Sequence, residues 1–375
     1  MPTPKIAIVA DWLTNMGGAE PTLLELHRIF PEAPIYTSVY DKRNMPAFAD
    51  CDIRTTWMQR WLPRFIRYKH PLWPVLRAYT FPLLDLSQYD IIISAASAEA
   101  KAVRKHPGAV HICYCHTPTR YYWSHYDEFK REFNFGPLTI LIRPFIPLFV
   151  RWMRQKDLAA VKGVDYFIAN SHATAARIKK YYHRDSTVIF PPVDVARFSN
   201  RDQKAKQRRG FIMWGRHVPY KRFDLAIQAC NQLGLPLTIV GNGPDTARLK
   251  KLSGPTITFT GYVSDTELVH LAQTSQAFLF PGEEDFGISP VEAMAAGLPV
   301  IAYKNGGALD YVERGRTGLF FAAQTPDSLI SAINEFEKID FDSKKLIAKS
   351  QQFSEQVFIK NIKNFLHTAK TSRTM

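Results

Sequence analysis

The chain has 375 residues, 46% hydrophobic and 22% charged; this excludes a disordered chain and is too long for one ordinary core, so two domains are expected. Its four cysteines (Cys51, Cys113, Cys115 and Cys230) stand in no disulfide-framework spacing, which points to a reducing compartment. The net charge of +14 favours phosphate-rich partners: nucleotides, nucleic acid or an anionic lipid surface.

The opening apolar run, 5–11, is predicted as a strand. It is too short for an export signal, so a cytoplasmic location is expected. It leads into Asp11-Trp12-Leu13-Thr14-Asn15-Met16-Gly17-Gly18-Ala19-Glu20 and a helical pattern. Paired glycines let backbone N–H groups approach a phosphate at a helix N-terminus, where the dipole favours an anion. A plain tight turn is the competing reading.

A strand at 35–39 follows. From Arg54 to Tyr79 the chain carries Arg54, Arg60, Arg64, Arg67, Lys69 and Arg77 and no acid, interleaved with Trp57, Trp61, Phe65, Trp73 and Tyr79. Such a mixture suits a headgroup interface; a basic loop over an ordinary core fits it equally well. The stretch 139–156 adds Arg143, Arg151, Arg154 and Lys156 among apolar residues. Prolines and arginines interrupt it, and a span needs roughly 20 apolar residues. Attachment to an anionic membrane is therefore expected to be peripheral.

Strands at 90–96, 110–115 and 166–171 complete a first series, with a helical pattern at 173–182. His111, Cys113 and Cys115 alternate on one strand face. No second ligand pair stands at a zinc-site spacing, so no metal is expected. His116 and Thr117-Pro118-Thr119-Arg120-Tyr121-Tyr122-Trp123 come next. They read as a wall of aromatic faces suited to sugar rings, with a satisfied core histidine as the alternative.

The seam falls near 190–194, where Pro191 and Pro192 stop a strand, and 200–209 is a basic connector. A second series has strands at 210–215, 237–241, 257–261, 277–282 and 299–303, with a helical pattern at 224–233. Strand–helix–strand repetition means a parallel sheet covered on both faces, with ligands beyond the carboxyl ends of the strands. Arg216 and Lys221 lie just past the first of these strands. Cations there can grip a diphosphate and stabilise charge on a leaving nucleotide, or simply form a solvated turn.

The densest motif runs from Phe280 through Glu283-Glu284-Asp285-Phe286-Gly287-Ile288-Ser289-Pro290-Val291-Glu292 to Gly297-Leu298-Pro299. Ser289 is expected to cap a helix opening at Pro290, and Gly297 to end it. Glu284 then lies above the helix N-terminus and Glu292 in its first turn. Two carboxylates there can accept paired hydroxyls, and the N–H groups of 286–289 point the same way. A capping box with Ser289 would explain Glu292 without any ligand. Further on, Asp340-Phe341-Asp342 has the look of a metal-binding Asp-x-Asp, but Asp342 suits the N-cap of a terminal helical stretch, and the capping reading is preferred.

These motifs resemble the family-4 retaining glycosyltransferases of the GT-B fold. The likeness rests on Glu284 and Glu292 with seven residues between them, on Gly215-Arg216 with Lys221, on Val240-Gly241-Asn242-Gly243-Pro244, and on Gly306-Gly307-Ala308-Leu309-Asp310. The N-terminal half is similar to O-antigen mannosyltransferases acting on lipid-linked oligosaccharide. It shares with them Asp11-Trp12-Leu13, the Cys115-His116 to Trp123 run, Phe167-Ile168-Ala169-Asn170-Ser171, Arg177-Ile178-Lys179-Lys180-Tyr181-Tyr182 and Val188-Ile189-Phe190-Pro191-Pro192-Val193-Asp194.

The resemblance implies an α/β fold of two doubly wound, Rossmann-like domains facing a central cleft. It implies an acceptor domain at 1–191, a nucleotide-sugar domain at 192–350, and a terminal helix at 351–375 crossing back to the first. It implies transfer of mannose from GDP-mannose, with a UDP-sugar as the alternative donor, onto a lipid-linked glycan in surface polysaccharide synthesis. The work would be done on the inner face of the cytoplasmic membrane, without metal or cofactor. By the same resemblance Glu284 holds donor-sugar hydroxyls, Glu292 the ribose, and Arg216 and Lys221 the diphosphate. Gly17 and Gly18 abut that diphosphate, and His116 lies beside the sugar. Asp285, Phe286, Gly287 and Ile288 add donor contacts, while Arg120, Tyr121, Tyr122 and Trp123 face the acceptor. His116, Glu284, Arg216 and Lys221 form the catalytic set. Departures from the family pattern are Pro21, Lys156 and Asp310. A nucleotide-sugar epimerase of the same fold is a rival reading. A basic nucleic-acid-binding protein is another, which explains the charge but not the paired glutamates.

Overall fold

The runs Ile91–Ala96 and Val110–Cys115 are buried along their whole length, as strands covered on both faces must be. They sit at the centre of one of two sheets in the computed structural model, which describes residues 4–69, 73–127, 130, 143–199 and 208–371. The chain divides into two units, Met1–Phe190 and Pro191–Met375.

The first unit holds β1 (Ile6–Ala10), α1 (Glu20–Ile29), β2 (Ile35–Thr37), β3 (Ile53–Thr55), α2 (Trp57–Trp61), α3 (Arg64–Arg67), α4 (Pro74–Thr80), β4 (Ile91–Ala96), β5 (Val110–Cys115), α5 (Ile146–Val161), β6 (Tyr166–Ala169), α6 (His172–Tyr182) and β7 (Thr187–Val188). The second holds α7 (Val195–Ser199), β8 (Phe211–Trp214), α8 (Phe223–Leu233), β9 (Leu237–Val240), α9 (Thr246–Leu252), β10 (Ile257–Gly261), α10 (Asp265–Thr274), β11 (Ala277–Phe280), α11 (Ile288–Ala295), β12 (Val300–Tyr303), α12 (Ala308–Tyr311), β13 (Gly318–Phe321), α13 (Pro326–Phe336), α14 (Ser343–Ser350) and α15 (Glu355–Thr371).

Each sheet is parallel throughout. The orders are β3-β2-β1-β4-β5-β6-β7 and β10-β9-β8-β11-β12-β13. In both, the strand order reverses once, between β1 and β4 and between β8 and β11. A doubly wound sheet binds its ligand outside the carboxyl ends of the strands at such a switch point. A ligand is therefore expected at the loops that follow β1, β4, β8 and β11.

All ten expected strands form. β3, β7 and β13 were not foreseen. β3 and β7 are edge strands of three and two residues, with almost no apolar run to read. β13 begins at Gly318, where a side chain would strike the Val300 carbonyl of β12. Asp342 caps α14 by accepting from Lys344 N–H at 2.9 Å, as expected.

The basic aromatic stretch folds into α2, α3 and α4 and is of two kinds. Several of its residues serve their own unit, contrary to a wholly surface reading. Arg77 is buried and bonds Glu99 at 2.7 Å. Arg67 donates twice to the Leu62 carbonyl, and the Trp73 indole donates to Ile66 at 3.0 Å. Arg54 bonds Asp52 and the hydroxyls of Tyr36 and Tyr89. Trp57, Trp61, Phe65, Arg60 and Arg64, by contrast, are exposed. On α5, Arg154 donates to the Tyr122 carbonyl, whereas Arg143, Phe145, Leu148 and Arg151 face outward. Positions 70–72 and 139–142 lie outside the described residues. Among the described residues no helix is long and apolar enough to cross a membrane.

Candidate active site

In the second unit the loop after β11 carries Glu284 and the turn after β8 carries Lys221. Because β8 and β11 are neighbours in the sheet, the two side chains meet although 63 positions separate them. Lys221 Nζ lies 2.5 Å from Glu284 Oε1, and the two side chains are only 15% and 16% exposed. The sequence pattern assigns these residues separate partners; the fold makes them one ion pair. Arg216, in the segment between β8 and Lys221, is exposed and forms no ion pair among the described residues.

The Glu284 loop is held from below. Gly307 N–H donates to the Glu284 carbonyl at 2.9 Å, and a side chain at Gly307 would sit 2.3 Å from Phe286 backbone. That turn is needed to support the loop, whatever it does for a ligand. Phe286, expected as a donor contact, is instead buried against Tyr311 and Phe353, and Tyr311 donates to its carbonyl at 2.9 Å. Asp285 is buried too. Phe286 anchors the loop through the core.

The helix start is corrected. α11 begins at Ile288, two residues before Pro290, and its N-cap is Gly287, not Ser289. Gly287 turns the chain at φ 88°, and a Cβ there would meet Phe280 and Tyr311 within 2.8 Å. Only glycine fits such a corner. Pro290 then falls in the first turn, where its missing N–H costs nothing. The N–H groups of Ile288 and Ser289 have no acceptor within the helix and carry the positive end of its dipole.

Glu292 consequently falls in the second turn. Its oxygens do not reach back to Ser289: Oε1 accepts from Arg197 Nη2 at 2.7 Å and Oε2 from Trp214 Nε1 at 2.9 Å. The capping-box alternative therefore fails. Burial pushes the Glu292 carboxyl above its ordinary pKa, against the downward pull of the Trp214 bond and the Arg197 charge. Arg197 and Trp214 are not recognisable as site residues in the sequence. They lie 95 and 78 positions from Glu292, and no local pattern announces either.

In the first unit a small cavity of about 50 Å³ lies at the β1/β4 switch point. Asp11, Trp12, Glu20, Ser97 and His116 line it. Asp11 is a structural clasp: its carboxylate accepts from the N–H groups of Ser97, Ala98 and Ala100 at 2.7–2.9 Å. His116 directly follows β5, is 8% exposed, and packs edge-on to Tyr114 at 5.2 Å. Gly17 and Gly18 are exposed ahead of α1. The Gly17 N–H is held by the Glu20 carboxylate at 2.8 Å, so an incoming anion would compete with Glu20. Burial raises the Glu20 pKa.

The aromatic wall is not as expected. Tyr122 is buried with its hydroxyl on Glu99 at 3.0 Å. Trp123 donates to Asp157 at 2.8 Å and stacks on Tyr181. Asp157 also pairs with buried Lys101 at 2.7 Å. Two buried carboxylates need these donors, because an unpaired buried charge is costly. Tyr121 remains exposed and Arg120 half-exposed, so the acceptor-side expectation narrows to those two. His111 bonds Ser94 at 2.8 Å within the sheet.

Residues 16–197 match the family model for Glycosyltransferase Family 4, and 194–353 match that for glycosyl transferases group 1. The chain is 24% identical over 233 residues to O-antigen chain mannosyltransferase C of Escherichia coli, a stretch covering 58% of this chain and 61% of that one. A GDP-mannose-dependent alpha-mannosyltransferase of Mycobacterium tuberculosis is 33% identical over 162 residues, covering 39% and 42% of the two. The match thus spans about two fifths to three fifths of these two relatives. Human alpha-1,3/1,6-mannosyltransferase is 25% identical with 90% of this chain and 88% of that one covered. Among solved structures, Anabaena Alr3699/HepE in complex with UDP and glucose superposes with a TM-score of 0.70 at 18% identity, over 97% of this chain and 100% of that one. The shared fold is GT-B.

Proposed function

Since the chain belongs to the family-4 glycosyltransferases, with the two matched models together running from residue 16 to 353, we propose that it is a retaining mannosyltransferase that takes mannose from GDP-mannose and adds it to a lipid-linked glycan. The observation that carries the reading is the Lys221–Glu284 pair at the β8/β11 switch point, with Arg216 in the segment that leads from β8 to Lys221 and the α11 N-terminus just after Glu284 in the chain. A donor diphosphate replaces part of Glu284's hold on Lys221, and the freed carboxylate accepts from sugar hydroxyls. The bond between the anomeric carbon and the β-phosphate oxygen breaks. The acceptor oxygen forms its bond on the same face, and its proton passes to the departing phosphate. Arg216, Lys221 and the helix dipole answer the charge that grows there. No divalent metal is required.

Ligand-dependent melting tests the donor. GDP and GDP-mannose at a hundredfold excess over Kd are expected to stabilise the protein by about 2.7 kcal/mol, which raises Tm by roughly 5–10 °C for a domain of this size. A shift with UDP or a UDP-sugar and none with GDP overturns the GDP-mannose donor and leaves the diphosphate clamp standing.

A lipid-linked acceptor calls for membrane attachment, and the exposed Trp57, Trp61, Phe65, Arg60 and Arg64 support it. Phe145, Leu148, Arg143 and Arg151 form a second exposed group of the same mixed composition at the start of α5. Each cation near an anionic surface contributes about 1 kcal/mol and loses it within a Debye length. The protein is expected to sediment with anionic but not neutral vesicles, and less so in salt. A variant with Arg60→Ser and Arg64→Ser should bind about 10- to 30-fold more weakly. Equal binding to neutral vesicles rules the electrostatic attachment out.

A further inference from the structure

Glu292 does not stand alone, and its partners limit what it can recognise. An ionised carboxylate offers about four acceptor sites on two oxygens. Arg197 takes one site on Oε1 and Trp214 takes one on Oε2. With both oxygens held, the carboxylate plane is fixed, and one site remains on each. That is the arrangement a pair of adjacent hydroxyls needs.

The holders are themselves fixed. The Trp214 ring packs against Phe278 at 4.4 Å and stacks on Phe198 at 6.0 Å. The Arg197 guanidinium lies 4.7 Å over the Phe198 ring, and its Nη1 reaches Asp265 at 3.1 Å. The Asp265 side chain is 75% exposed, whereas that of Glu292 is 13% exposed. The exposed contact is screened by water; the buried one is where the arginine charge counts.

We infer that Arg197 is a positioning residue that makes this site selective for a vicinal diol, so that the nucleotide bound here must carry ribose and not deoxyribose. The inference rests on reading Glu292 as the ribose-facing carboxylate of a nucleotide-sugar site. Arg197 does two things for it. It orients Oε1, and its charge favours the ionised form, the one that accepts from both hydroxyls. The charged groups around Glu292 are Arg197 itself, Asp194 at the start of the same helix, which opposes it, and Asp265 on α10, which shares the guanidinium. Burial already holds the Glu292 pKa above the usual range. Loss of Arg197 raises it further, so that protonation sets in at higher pH.

The experiment is calorimetry with GDP and its deoxyribose counterpart, and with the UDP pair, from about pH 5 to pH 8. The proteins are wild type, Arg197→Met, Arg197→Lys and Trp214→Phe, each checked for an intact thermal transition. Wild type is expected to prefer the ribose form by roughly tenfold or more, the loss expected for a hydrogen bond to a charged group. Arg197→Met should reduce that preference by about tenfold and move the low-pH loss of binding to higher pH. Arg197→Lys should restore much of the pH profile. Trp214→Phe leaves a smaller aromatic ring beside Phe198 and Phe278 and removes the N–H donor without removing a charge, so it should lower the ribose preference with a smaller pH displacement. If wild type discriminates and the folded Arg197→Met and Trp214→Phe variants keep its ratio and profile, the inference fails and the ribose reading survives. If wild type binds both sugars equally, the ribose reading of Glu292 fails, and the inference falls with it.

Discussion

Replacing Lys221 by Ala is expected to lower turnover by roughly 100- to 1,000-fold, the loss seen when one preorganised charge-stabilising group is removed. Two effects combine. The leaving diphosphate loses a cation aimed at its growing charge. Glu284 also loses the ammonium that sits 2.5 Å from it in a mostly buried pair, and a carboxylate stripped of its partner there repels the donor phosphates. Binding of GDP should weaken by about 1.5–3 kcal/mol. Calorimetry and steady-state rates read both effects, and unchanged binding together with unchanged turnover removes Lys221 from the clamp. Arg216 is exposed nearby, so Lys221→Arg should recover part of the binding but less of the rate, since its planar fork replaces a compact point charge.

Replacing Glu284 by Gln is expected to cut turnover by about 10- to 100-fold, the factor for losing hydrogen bonds to a charged group. The loop should keep its shape. Its anchors are the Gly307 N–H on the Glu284 carbonyl and the Tyr311 hydroxyl on the Phe286 carbonyl, and neither uses the carboxylate. GDP affinity should hold or rise slightly, because Lys221 is no longer shared. That split, with turnover lost and nucleotide binding kept, separates a sugar-holding role from a diphosphate-holding one. Wild-type turnover in this variant would sink the assignment. The double variant with Lys221→Ala should lose less than the two single losses combined, as residues in one ion pair do not add.

Much of this architecture is legible in the amino-acid sequence. The ten strands of the two series form where short apolar β-rich runs stand between helical patterns, and the motif residues lie in the loops and helix starts that follow them. Hydrophobic periodicity is a local signal, and parallel sheets write it strongly because their strands are buried on both faces. The family resemblance rests on equally local strings, above all the one from Phe280 to Pro299. What fails locally fails for local reasons. The cap at Ser289 is outcompeted by a corner at Gly287 that only packing against Phe280 and Tyr311 creates.

By itself, then, the sequence determined the type and order of the elements and which loops carry chemistry, since these depend on the residues within a turn or a strand of one another. The tertiary structure alone decided which side chains share a ligand and which serve the fold. Lys221 meets Glu284 only because β8 lies beside β11. Arg197 meets Glu292 only because α7 packs against α11. Tyr122, Trp123 and Arg77 look like surface chemistry in the sequence, yet they turn inward because Glu99 and Asp157 are buried and must be satisfied. A buried charge selects its partners by proximity in space, and no spacing along the chain encodes that proximity.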